Sequence, residues 1–148
     1  MTVLILVLTR LKRILRKKNN MPIIALLVIH LHLSILFSDN ASKDCSYTNL
    51  QPWEEVYGCY IQDKNSIVLQ LGTYNQDWTL AHEIGHRLFL KDNEVKNIIK
   101  NYPYLHYENS NINEKVADYF ADYVYDKDFS IKYPELQLLF NKKMKQYE

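Results

Sequence analysis

The chain has 148 residues, 47% of them hydrophobic and 24% charged, which allows one compact domain with a real core plus a short extra segment. Three glycines and four prolines exclude a collagen-like or low-complexity chain. The net charge of +1 conceals an asymmetry: Arg10, Lys12, Arg13, Arg16, Lys17 and Lys18 all precede the first acidic residue, Asp39, and the remainder is acidic on balance. A nucleic-acid partner is therefore not expected, because the basic patch of such a protein lies on its folded part.

Residues 1–40 read as a leader. An apolar start, a basic cluster and a second apolar run over residues 22–37 form the arrangement of a signal peptide or signal anchor. The second run sits near the lower limit of roughly 17–25 residues for a membrane span. It predicts export or membrane anchoring through this segment, with the rest of the chain outside the cytoplasm. The alternative is an internal apolar helix in a cytoplasmic protein. His30 and His32 fall in this run, far from any metal motif. Residues 41–53 are polar and turn-rich and read as a linker; Asn40-Ala41-Ser42 is a glycosylation sequon. Cys45 and Cys59 have no metal-ligand spacing. In an exported protein they could form a disulfide contributing on the order of 3 kcal/mol; the alternative is two free thiols, one of them in the core.

Residues 54–148 read as the functional domain. Residues 56–61 and 66–71 are strand-like and flank the turn 62–65, which predicts a β-hairpin ending at Gly72. From Trp78 to Leu90 the apolar residues Leu80, Ile84 and Leu88 recur every four positions, predicting a helix capped by Asp77 or Thr79. A short helix is expected over 95–100, broken near Pro103. Asn113 is the expected cap of a helix over 114–126, in which Ala117, Phe120, Ala121 and Val124 form one apolar face. The tail from Tyr133 to Tyr147 is helical with Leu136, Leu139, Phe140 and Met144 inward. The predicted class is α+β.

The informative pentapeptide is His82-Glu83-Ile84-Gly85-His86. On a helix, residues four apart share a face about 6 Å apart along the axis, so both imidazoles can meet one Zn²⁺. Glu83 is poorly placed to ligate and well placed to act as general base toward a zinc-activated water. Gly85 costs about 1 kcal/mol relative to alanine inside a helix, which makes sense where another element or the metal must come close. A catalytic zinc needs a third protein ligand and an open position. Glu114, opening the second helix on its core-facing stripe, is the best candidate. Asp118, one turn on, would accept a hydrogen bond from the outer nitrogen of a ligand imidazole. An oxyanion needs a further donor; His106 and Tyr107 are the foremost candidates, with Tyr104 and Tyr123 beside them. Asp92 is a poor substitute third ligand, because no glycine turns the chain back toward the histidines.

This pattern resembles the gluzincins. Glu114-Lys115-Val116-Ala117-Asp118-Tyr119-Phe120-Ala121 following an HExxH helix is similar to both the ImmA/IrrE peptidases and the CAAX-prenyl endopeptidase group. The compact spacing, the strand pair and Thr79-Leu80-Ala81 are more similar to ImmA/IrrE. The resemblance covers roughly residues 54–126. It implies a zincin-like fold, with a small twisted sheet packed on the HExxH helix and a Glu-bearing helix, a glutamate third ligand, and hydrolysis of peptide bonds in a peptide or protein substrate. The strand 67–71 is expected to flank the cleft, its open edge pairing with an extended substrate. Two other readings exist: a membrane-tethered binding protein with an idle zincin fold, and an intracellular regulatory protease cleaving a single partner protein.

Overall fold

The computed structural model describes residues 21–46, 56–105 and 111–147. The protein is α+β, with two compact units, residues 1–80 and 81–148.

The first unit carries helix α1 (Met21–His30), strand β1 (Ser34–Ser38), the short helix α2 (Ala41–Asp44), strand β2 (Gly58–Ile61), a 3-10 turn (Gln62–Lys64) and strand β3 (Ser66–Gln70). The sheet order is β1-β3-β2. The predicted hairpin is present: β2 pairs antiparallel with β3, Gly58 opposite Leu69 and Ile61 opposite Ser66. On its other side β3 pairs in parallel with β1, Ser34 opposite Ser66 and Ser38 opposite Gln70. Ile67, Val68 and Leu69 are all buried, the continuous apolar run of a strand covered on both faces. Gly72, at φ +78°, supplies the left-handed residue that follows β3.

One side chain links the two pairings. Asn65 closes the hairpin turn at φ 44°, and its Nδ2 donates to the carbonyls of Leu31 (2.8 Å) and His32 (3.2 Å). The Ser34 N–H then donates to the Asn65 carbonyl at 3.2 Å, which starts the parallel ladder in register. At the other end Gln70 receives the Ala41 N–H on its Oε1 at 2.6 Å and donates from Nε2 to the Asp39 carbonyl at 2.9 Å. Ala41 is fully buried with Cys59 and Val68, and a Cys45–Cys59 disulfide, with Cα atoms 6.0 Å apart, ties α2 to β2.

Three expectations are corrected in this unit. The apolar run 22–37 is not one helix: it turns at Leu31-His32, and its second half is β1. A short apolar run cannot be assigned to helix or strand by periodicity alone, and here the β3 ladder decides. Residues 41–44, expected within the linker, form α2, with Asn40 accepting the Lys43 N–H at its N-cap. The strand 67–71 has no open edge, because β1 and β2 occupy both sides of β3. Among the described residues no helix is long and apolar enough to cross a membrane.

Helix α3 (Gln76–Phe89) leads into the second unit, followed by α4 (Asn93–Ile99), α5 (Ile112–Tyr125), α6 (Phe129–Lys132), α7 (Pro134–Met144) and a final 3-10 turn (Lys145–Tyr147). Asp77 lies inside the first turn of α3 rather than before it. Helix α5 is capped by Asn111, not Asn113: the Asn111 Oδ1 accepts the N–H groups of Asn113 and Glu114. The predicted inward face of α5 is buried, as are Leu136, Leu139, Phe140 and Met144 of α7. Phe89, Phe120 and Phe140 make mutual ring contacts with centroids 5.4–5.7 Å apart, the aromatic centre of this unit. Lys115 is almost wholly buried. Its ammonium donates to the carbonyls of Lys100 (3.1 Å) and Tyr102, so it caps the C-terminal end of α4.

Candidate metal centre

Helix α3 places His82 and His86 one turn apart on one face, their rings edge to face with centroids 4.7 Å apart. Their Nε2 atoms are 3.1 Å from one another. From α5, Glu114 brings Oε2 to 3.2 Å from His82 Nε2 and 3.4 Å from His86 Nε2. Donors held about 2.0–2.1 Å from a tetrahedral ion are roughly 3.3 Å apart, so two imidazoles and a carboxylate at these separations could hold one metal ion. Among the described residues this is the one such group of His, Cys, Asp and Glu side chains.

The approach of α5 to α3 depends on a glycine. A Cβ on Gly85 would lie 3.0 Å from the Ala117 Cα and 3.3 Å from Phe120. Glu114 and Asp118 flank Ala117 on α5, so the contact at Gly85 brings both carboxylates to the histidines. The close approach expected from Gly85 is thus made by a helix backbone.

Behind this group, His82 Nδ1 lies 2.9 Å from Asp118 Oδ1, and Asp118 is 5% exposed. This contact aims Nε2 toward Glu114 and His86. Burial works against a charge on His82, but hydrogen bonds to Asp118 and Glu114, with the charge of Glu83 added, outweigh it and push its pKa up to about 10. The hydrogen bonds of His82 and His86 hold the Glu114 carboxyl well below its ordinary range, against the effect of burial. Glu83, beside the first histidine, is 5% exposed. The Glu114 side chain is 42% exposed, so the group is reached from solvent on that side.

His106 and Tyr107 lie outside the described residues. The Tyr104 ring lies 4.3 Å from the Lys115 ammonium, and the Tyr123 hydroxyl donates to Asn141 Oδ1 at 2.9 Å. Asp92 is not in the group: it caps α4 through the Val95 N–H and pairs with Lys143 at 2.7 Å. His30 ends α1, and His32 lies in the turn that follows it at φ 50°. One residue acquires a different place from the one its sequence position suggests. Asn113, read as a cap, lines a recess with Gly85, His86, Phe89, Leu90 and Val116, and its Oδ1 is buried without a partner among the described residues. The signal for this was the second asparagine two residues earlier, since only one of the pair can occupy the N-cap.

Comparison with known proteins finds no matching family model, no matching characterised protein and no matching solved structure.

Proposed function

We propose that the chain is a zinc-dependent metallopeptidase of zincin-like fold, similar to the ImmA/IrrE peptidases. The observation that carries this reading is the meeting of His82, His86 and Glu114, the last 28 residues beyond the second histidine, at separations that suit one tetrahedral ion. His82, His86 and Glu114 hold the zinc, and Asp118 fixes the tautomer of His82. When bound, the ion supplies Lewis-acid polarisation of the scissile carbonyl and of the attacking water. Glu83 takes the proton of that water and delivers it to the leaving nitrogen. The solvent access beside Glu114 suits a catalytic centre, which needs a position for substrate, better than a closed structural one.

The substrate is a peptide or protein. The Cys45–Cys59 disulfide supports an oxidising compartment, in keeping with export or anchoring through residues 1–40. Glu83 speaks against an idle binding protein, because a buried carboxylate beside a metal ligand costs stability and has little use without turnover.

The deciding experiment is metal analysis of wild type and Glu83→Gln together with hydrolysis of a mixed peptide library. About one zinc per chain is expected in both. Hydrolysis should fall by about 100-fold or more in the variant alone. Equal hydrolysis by both proteins, or no zinc in either, would remove this reading.

A further inference from the structure

Residues 22–37, the run near the length of a membrane span, are taken up by the fold of the first unit. Ile24 and Leu27 on α1 are buried, and so are Leu33 and Ile35 beyond the turn. The turn itself is fixed: His32 has φ 50°, and Asn65 Nδ2 donates to the Leu31 carbonyl at 2.8 Å. The strand that follows runs parallel to β3 with Ile35 opposite Ile67, and the Ser38 carbonyl accepts the Leu71 N–H at 2.7 Å. A membrane span over this run would have to break these contacts, straighten the turn into a helix and strip β3 of a neighbour. Helix α1 alone, at 10 residues, is about 15 Å long, half of the roughly 30 Å hydrocarbon core.

With that run built into the fold, the basic cluster has no span to orient. Arg10, Lys12, Arg13, Arg16, Lys17 and Lys18 end just before α1, and no acidic residue precedes Asp39. Residues 3–8 are apolar throughout, too few to cross a bilayer and enough to enter its interface. We propose that the chain docks peripherally on an anionic lipid surface through residues 3–18, and that the folded unit beginning at α1 stays outside the bilayer. Each Lys or Arg near such a surface adds attraction, so the charge selects anionic over neutral lipid. The apolar residues 3–8 select lipid over nucleic acid, which offers them no apolar phase. Of the export and anchoring set out above, this is anchoring without a span, and it is independent of the metal reading.

The test is co-sedimentation of the full chain with phosphatidylcholine vesicles, with and without phosphatidylglycerol. Binding should require phosphatidylglycerol. It should be lost as salt rises from about 0.1 to 1 M, which shortens the screening length from about 10 to 3 Å. A variant with Arg13→Gln, Arg16→Gln and Lys17→Gln should bind about 100-fold more weakly. Its thermal midpoint should match wild type, because no contact of the described residues involves these side chains. Equal binding to neutral vesicles, a triple variant that binds as wild type does, or a DNA duplex held as tightly as the vesicles overturns the proposal. So does membrane attachment that survives both high salt and alkaline carbonate, the mark of a span. Each of these failures leaves the metallopeptidase reading standing, and a chain that binds no zinc leaves this one.

Discussion

Gly85 and Ala117 touch closely enough that a methyl group on the first would lie 3.0 Å from the Cα of the second. The contact is backbone to backbone, so it cannot be relieved by turning a side chain. Relief requires moving α5, which carries Glu114 and Asp118.

Gly85→Ala therefore sets two effects against each other. Alanine gains about 1 kcal/mol of helix propensity, which offsets the steric cost in overall stability. The geometry of the carboxylates gains nothing. Thermal stability should change by no more than about 1 kcal/mol, while zinc affinity falls about tenfold as Glu114 is pushed from the imidazoles. Chelator competition measures the second quantity. Unchanged affinity in Gly85→Ala would mean that the helix spacing is not what assembles the ligands.

Zinc uptake should expel a proton. Before an ion binds, His82 has its pKa at about 10, so at pH 7 its imidazole is charged. Because that value lies above the unfolded value of about 6.5, the His82 ion pair contributes stability fully below pH 6.5. The contribution is lost as pH rises through 10. Glu114 is depressed, so its part is present above the ordinary carboxylate range and lost as pH falls through its lowered value. Coordination requires the unprotonated Nε2 of His82, and zinc affinity should rise about tenfold per pH unit from pH 6 to 8. Calorimetry in buffers of different ionisation enthalpy should give close to one proton released per zinc at pH 7. A pH-independent affinity would contradict the charged state of His82.

The joint between α4 and α7 should weaken in acid. Lys143 bonds Asp92 and Glu94, each at 2.7 Å. Burial works against the charge on Asp92, but the Lys143 ammonium and the Val95 N–H outweigh it and lower the carboxyl's pKa. A lowered carboxyl stabilises above its unfolded value of about 3.9 and loses that stabilisation as pH falls through the folded value. Lys143 is raised by the same bonds, so its part is present at neutral pH and lost only at high pH. Lys143→Met should cost about 1 kcal/mol at pH 7 and flatten the decline of stability below pH 4. Urea midpoints from pH 3 to 7 measure both. An acid limb as steep in the variant as in wild type would show that Lys143 does not set it.

Reducing the Cys45–Cys59 disulfide should destabilise the first unit. The bond joins residues 14 apart and sits against the cluster of Ala41 and Val68. Paired Cys45→Ser and Cys59→Ser substitutions should cost about 3 kcal/mol, and reductant should bring wild type to the same midpoint. A reductant-insensitive unfolding curve would show the bond does not form in solution.

The sequence by itself determined the elements whose pattern is local. The HExxH spacing needs only helical periodicity to place His82 and His86 on one face. The apolar stripe of α5 and the turn 62–65 between β2 and β3 are equally local. Glu114 and Asp118 were legible because they are four apart on that stripe, facing the same way as Ala117.

What only the tertiary structure decided are relations between segments distant in the chain. Whether residues 34–38 end a leader helix or form a strand depends on β3, because an apolar run this short buries well in either form. That same pairing closed the edge of β3 from which substrate binding was expected. The purpose of Gly85 lay in Ala117, and the roles of Asn111 and Asn113 separated only once the start of α5 was in place. Local periodicity says which face a side chain is on; what that face meets is set by the packing of the other elements, whose free energy does not appear in any one segment.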